Sequence, residues 1–301
     1  MSIFETIYPR KINIGDTIGI AAPAGSFNRE RFNSGVGILE NMGFNLFMPD
    51  QLVLEDRWFA GDDDTRVSVL HNLFLDPDVK AIVCARGGYG SMRLLEKIDF
   101  DIVRNHPKIF AGFSDITVLL SAFYERAGLV CYHAPVVTSL TDADDLSLNA
   151  FRLMLTDDKP FSMIADDNTG CVVCSGQASG ILQGGNLTTL NHLTGTGFMP
   201  ELNGRVLLLE DIAEPAYKID RMLTQMRLAG IFSGIRGIVL GQFEDCGRYE
   251  AINSIFKENF KDKGIPVISG FGFGHSKRNL AFPIGAEVML DSRNLSVVCA
   301  Q

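Results

Sequence analysis

At 301 residues, 46% hydrophobic and 21% charged, the chain has the make-up of an ordinary globular protein and the length for two domains of roughly 150 residues. Its net charge of −9 argues against nucleic acid as the main partner, because phosphate binding needs a basic surface. No apolar run approaches the roughly 20 residues of a membrane span, and the opening Met-Ser-Ile-Phe-Glu-Thr lacks the layout of a secretory leader. The expectation is a cytoplasmic protein with neither nucleic acid nor membrane as partner.

In chain order, residues 16–22 form a short apolar strand that runs into Pro23-Ala-Gly-Ser26. Phe32, Val36, Leu39 and Met42 then mark one helical face, and Gly43 is its stop. Residues 44–48 read as a strand. Asp62-Asp-Asp64 opens a second helix with acids at the positive end of its dipole, and Val67, Leu70 and Phe74 lie on its buried side. Residues 80–85 are a third strand, followed by the glycine-rich Arg86-Gly-Gly-Tyr-Gly-Ser91. Ile109, Phe110 and Ala111 end a fourth strand, and Ile116, Leu119, Leu120, Phe123 and Tyr124 fall at helical spacing just beyond it. Residues 129–132 continue the sheet.

This alternation predicts an α/β fold, with a doubly wound, flavodoxin-like parallel sheet over residues 1–155. The turn-rich residues 156–179 are expected to be a linker, and residues 180–301 a strand-rich α+β domain. Within the latter, residues 206–209 and 237–240 read as strands separated by a helix carrying Ile219, Met222, Leu223 and Met226. A further helix is expected near 252–260, and a closing hairpin across Asp291-Ser-Arg-Asn294.

The chemistry centres on Gly112-Phe113-Ser114-Asp115. A strand that reverses into a helix within three or four residues puts its middle residue on a sharp corner. The side chain then projects from the sheet edge while the new helix's N–H groups face the same space. Ser114 is the candidate nucleophile, although a serine capping a helix would look much the same, and Ile116 stands where a full elbow has its second glycine. Arg86-Gly-Gly-Tyr-Gly90 is a second glycine corner, able either to make a tight turn or to bring backbone N–H groups close to a ligand. As an oxyanion hole it would pair the Gly88 N–H with that of Asp115.

A serine nucleophile needs a base. His71, His106 and His192 read as structural, His133 is a runner-up just past a strand, and His275 stands in the long glycine-rich loop of residues 270–279. His275 is the best base. Glu210, where a buried strand emerges, would hold it, whereas Asp211 fits a capping role. Cys171 and Cys174 form the one CxxC pair, without a second pair or a histidine partner, and no metal or cofactor is called for.

These stretches resemble the serine LD-carboxypeptidase family, which includes muramoyl-tetrapeptide carboxypeptidases and microcin C self-immunity peptidases. The resemblance is carried by Gly15-Asp-Thr-Ile-Gly-Ile-Ala-Ala-Pro23, Arg86-Gly-Gly-Tyr-Gly90 and Gly112-Phe-Ser-Asp-Ile-Thr117. It continues through Gln183-Gly-Gly-Asn-Leu187, Leu209-Glu-Asp211, Tyr217-Lys-Ile-Asp-Arg221 and Gly274-His275 with Asn279. It implies a triad of Ser114, Glu210 and His275, with oxyanion donors at Gly88 and Asp115. It further implies hydrolysis of an amide between an L-configured centre and a C-terminal D-alanine, in peptidoglycan recycling. Asn186 falls in a segment near the family's site, and a homodimer is plausible by analogy. Arg86, Lys277 and Arg278 are candidates for the substrate carboxylate. The microcin branch stacks its nucleotide on a loop aromatic; the single tryptophan here, Trp58, lies in the first domain, and residues 171–200 carry no obvious aromatic insertion. That favours a small murein-type peptide as substrate. Outside the enzyme class, the two glycine corners would make an anion-binding module.

Overall fold

The computed structural model describes residues 4–166 and 169–299. It divides into two compact units, Met1–Asp158 with Leu280–Phe282, and Lys159–Asn279 with Pro283–Gln301.

The first unit alternates strand and helix throughout. Its elements are β1 (Thr17–Ala21), α1 (Arg29–Asn41), β2 (Asn45–Phe47), α2 (Asp63–Leu75), β3 (Val79–Cys84), α3 (Phe100–Asn105), β4 (Ile109–Gly112), α4 (Thr117–Ala127), β5 (Cys131–His133), α5 (Val137–Leu140) and α6 (Asp145–Thr156). The strands run parallel in the order β2-β1-β3-β4-β5, the flavodoxin-like arrangement expected from the sequence. The late strand β12 (Phe282–Ile284) borders β5.

Both faces of this sheet are apolar because both are covered. Ile18, Ile20, Ala81, Val83, Ile109 and Ala111 pack on one side with Phe32 and Leu39 of α1 and Phe151 of α6. On the other side Phe110 meets Phe74 of α2 and Phe123 of α4, at ring separations of 6.2 and 4.8 Å. Helix starts follow local chemistry: the side chains of Asn28, Asp62 and Asp144 each accept a backbone N–H of the first turn.

In the second unit follow β6 (Ser162–Ile164), β7 (Cys171–Cys174), β8 (Gln177–Asn186), α7 (Leu187–His192), β9 (Arg205–Ile212), α8 (Ala216–Leu228), β10 (Gly237–Glu244), α9 (Tyr249–Phe260) and β11 (Val267–Ser269). Strands β13 (Glu287–Asp291) and β14 (Ser296–Cys299) close the chain as the expected antiparallel hairpin. The sheet order is β6-β14-β13-β8-β9-β10-β11-β7. Its centre, β8 through β11, is parallel, and its flanks are antiparallel. The four residues expected on the inner face of α8 (Ile219, Met222, Leu223 and Met226) are its buried ones.

Residues 156–179, read from their turn-rich composition as a linker, contribute β6 and β7 to opposite edges of this sheet. Both strands are short, three and four residues, and edge strands of that length leave little periodic signal.

Candidate active site

In the first unit every functional candidate lies just beyond the carboxyl end of a parallel strand, where open α/β sheets place their ligands. Ser114 follows β4 with φ of 64°, a left-handed conformation that costs a non-glycine residue roughly 1–2 kcal/mol. Phe113 before it is extended, and a short helical turn at Ser114–Ile116 leads straight into α4. The backbone here has the shape of a nucleophile elbow, with the side chain half-buried among buried neighbours. Ile116, in the place of the second glycine, requires the first glycine to stay. A Cβ at Gly112 would lie 2.9 Å from Ile116 Cγ2, so the isoleucine fills the space that a side chain at 112 would need.

The 86–91 loop approaches the elbow closely. A Cβ at Gly87 would lie 2.8 Å from Ser114 Cβ and 3.1 Å from its Oγ, so only glycine fits. The Gly87 carbonyl accepts the Gly25 N–H at 3.1 Å. With no cis peptide among the described residues, the Gly88 N–H of the same plane points away from Gly25.

Further along, Asp115 is 7% exposed and its carboxylate accepts the Ser91 N–H at 2.8 Å. Burial pushes its carboxyl above the usual range, against the bonds from Ser91 and the charge of Arg66. Arg66, 3% exposed, donates to the carbonyls of Pro23 at 2.6 Å and Gly90 at 3.1 Å, and pairs with Asp63. Arg86 is exposed and donates to the Ser26 carbonyl.

The second unit also builds at strand ends. Glu210, at the end of β9, is fully buried, and its Oε2 lies 2.7 Å from His275 Nδ1. The ring nitrogen that meets the carboxylate is Nδ1, so Glu210 sets which tautomer the neutral ring adopts. Burial depresses the His275 pKa, but the charge of Glu210 and its hydrogen bond, helped by Asp211 and Glu244, outweigh burial and raise it above 6.5. The 270–279 loop is pinned from two sides. The Asn279 side chain accepts the Gly274 N–H at 3.1 Å, and Gln242, at the end of β10, donates its N–H to the Phe273 carbonyl and accepts from Ser276 Oγ.

Asn186, 5% exposed, caps α7 through the Thr189 N–H and donates to Asp211 at 3.1 Å. Asp211 also accepts from the N–H and hydroxyl of Thr188, so it braces the end of β8 from across the sheet rather than capping only its own turn. Burial pushes its carboxyl up.

Of the other histidines, His71 Nε2 accepts the Asp99 N–H, His106 ends α3 and His192 is the last residue of α7. His133 is fully buried, with its ring against Phe113 at 5.8 Å, which denies it the access a base needs. Lys277 is exposed and Arg278 pairs with Asp166 at 3.3 Å. Among the described residues no group of three or more His, Cys, Asp or Glu is placed to hold a metal. Trp58 stands 57% exposed in the first unit.

Two residues that hold the site went unread in the sequence. Gly25 was only part of a loop. Arg66 shares the 66–70–74 spacing of Leu70 and Phe74, so an arginine on the apolar stripe was its available signal.

The chain is similar to known proteins over nearly its whole length. Residues 18–134 match the LD-carboxypeptidase N-terminal domain, and residues 179–290 the LD-carboxypeptidase C-terminal domain. A probable murein peptide carboxypeptidase of Bacillus subtilis is 33% identical over 98% of this chain and 95% of its own length. The murein tetrapeptide carboxypeptidase of Pseudomonas aeruginosa is 31% identical over 94% of this chain and 95% of its own. The crystal structure of an MccF-like protein from Bacillus anthracis superposes with a TM-score of 0.91 at 30% identity, covering 98% of this chain and 100% of that one. The chain therefore belongs to the LD-carboxypeptidase family.

Proposed function

We propose that the chain is a serine LD-carboxypeptidase that removes the C-terminal D-alanine from a murein tetrapeptide, in peptidoglycan recycling. One observation carries the reading: Ser114 sits left-handed at the junction of β4 and α4, the strained corner from which an elbow of this kind presents its nucleophile. The names of the Bacillus and Pseudomonas relatives support the substrate class.

In this mechanism Ser114 Oγ attacks the scissile carbonyl while His275 Nε2 takes its proton. The amide N–H groups of Gly88 and Asp115 bind the oxyanion, and Glu210 holds the imidazolium that forms. Collapse breaks the C–N bond, and His275 returns the proton to the departing amine of D-alanine. Water, deprotonated by the same histidine, then cleaves the ester. The chemistry is complete with side chains and backbone amides. Arg86 and Asn186 are assigned to substrate binding, Asn186 through the backbone it caps. The proposal extends to a cytoplasmic homodimer, by analogy within the family.

The likeness to the MccF-like structure supports a second reading, a self-immunity peptidase acting on a nucleotide-linked peptide. The test is product analysis on murein tetrapeptide beside such a conjugate, with fluorophosphonate labelling of wild type and Ser114→Ala. D-alanine release and a label lost in the variant are expected. Cleavage of the conjugate alone selects the second reading. Absence of both label and turnover would leave an anion-binding module.

A further inference from the structure

One peptide plane in the 86–91 loop is gripped from both edges. The Gly90 carbonyl accepts from Arg66 Nη1 at 3.1 Å, and the N–H of the same plane, on Ser91, donates to the Asp115 carboxylate at 2.8 Å. A second plane, Gly87–Gly88, is held at its carbonyl by the Gly25 N–H. The loop between these anchors contains three glycines, and two of them, Gly88 and Gly90, have φ of 98° and 132°. Such a backbone is flexible by itself, so its geometry depends on external bonds.

We propose that the Asp115 carboxylate is a positioning residue that locks the two oxyanion donors to each other. Its backbone N–H is one donor. Its side chain, through the Ser91 N–H, fixes the loop that presents the other, at Gly88. The inference rests on the reading of Ser114 as nucleophile and goes beyond it, since that reading uses only the amide of residue 115.

Three observations favour this over a helix-capping role. The carboxylate is 7% exposed, a costly place for a charge whose only task is to cap. Its bond crosses 24 residues to the other loop rather than turning back on its own helix. Arg66, whose charge stabilises the carboxylate, holds the opposite edge of the plane that Asp115 holds. Serine or asparagine would cap as well at lower cost. A fixed distance between two loops is what the buried pair supplies.

Asp115→Ala and Asp115→Asn separate the roles. Asparagine keeps an acceptor for the Ser91 N–H, whereas alanine does not. The second-order rate of fluorophosphonate labelling at Ser114, per folded site, is expected to fall about 10- to 100-fold in Asp115→Ala, because a displaced donor loses much of its stabilisation. Asp115→Asn should stay within about threefold of wild type, with its acceptor geometry retained. Turnover should fall in kcat with little change in KM, and amide exchange over residues 86–91 should speed up in the alanine variant. Wild-type labelling rates in Asp115→Ala overturn the proposal, as does equal slowing of both variants. If the alanine variant does not fold, a greater than tenfold slowing in the asparagine variant overturns it instead. A wild-type enzyme that does not label at Ser114 sinks the nucleophile reading itself, a separate result.

Discussion

The two units meet similar structural demands with different physics. Each arranges its candidates at or just beyond the carboxyl ends of parallel strands. The first works with backbone: a left-handed serine, glycines with no room for a Cβ, and amides aimed by their neighbours. The second works with side-chain charge: a fully buried glutamate 2.7 Å from a histidine whose pKa it raises. The first should therefore be most sensitive to steric change, and to pH mainly through the buried Asp115 carboxylate. The second should respond to pH and to loss of charge.

Removing the charge should have the largest effect. In Glu210→Gln the imidazolium loses its stabilising partner and the tautomer is no longer fixed, so turnover is expected to fall about 1,000- to 10,000-fold. The pH profile carries the sharper test. His275 has a raised pKa, so it stays protonated, and unable to accept the Ser114 proton, to higher pH than an ordinary histidine. The acid limb of wild-type kcat/KM should therefore lie above the ordinary histidine value. In the variant burial still opposes the charged form while the Glu210 charge is gone, so the residual activity should titrate at lower pH. An unmoved limb would show that the titrating base is another group.

Steric intrusion on the first unit comes next. Gly87→Ala puts a Cβ 2.8 Å from Ser114 Cβ, against backbone and a residue on a strained corner, so the loop or the elbow must shift. Turnover should drop about 100-fold, as a displacement of order 1 Å does at a reacting centre. The acid limb should stay at its wild-type pH, because the Glu210–His275 pair that raises the histidine pKa is untouched. A limb that moves with Gly87→Ala would break the distinction between the units.

The difference in physics also explains what was legible in the chain. The strand and helix order of the first unit could be read because both faces of its sheet are apolar and its helices carry continuous stripes. The corner at Ser114 could be read because a strand and a helix left it no room. His275 stood out in a glycine-rich loop. Arg66, the Asp115 side chain and the Asn186–Asp211 bond were not readable as a frame. Each acts on a residue 24 or more positions away, and only the register of the folded sheet brings such pairs together. Strand β6 leaves no readable pattern for a related reason, since its pairing partner, β14, lies far along the chain, whereas Cys171–Cys174 of β7 stand in a strand-like Gly-Cys-Val-Val-Cys-Ser run.

The smallest expected effect concerns the strain itself. If Ser114 is left-handed at a cost, relieving the cost should stabilise the protein even as it removes the nucleophile. Ser114→Gly gains roughly 1–2 kcal/mol by accepting φ of 64° without penalty. It loses about 0.4–1 kcal/mol because glycine adds freedom to the unfolded chain. The net, at the middle of those ranges, is about 0.8 kcal/mol in favour of the folded state, read against Ser114→Ala, which is equally inactive but keeps the strained Cβ. Urea unfolding of the two inactive variants should separate them by that margin, with glycine the more stable. A Glu210→Gln protein treated the same way should move in the opposite direction, since it breaks a buried pair and relieves no backbone strain. Equal midpoints for the serine variants would mean that the elbow stores nothing, and that the left-handed corner is simply where the chain turns.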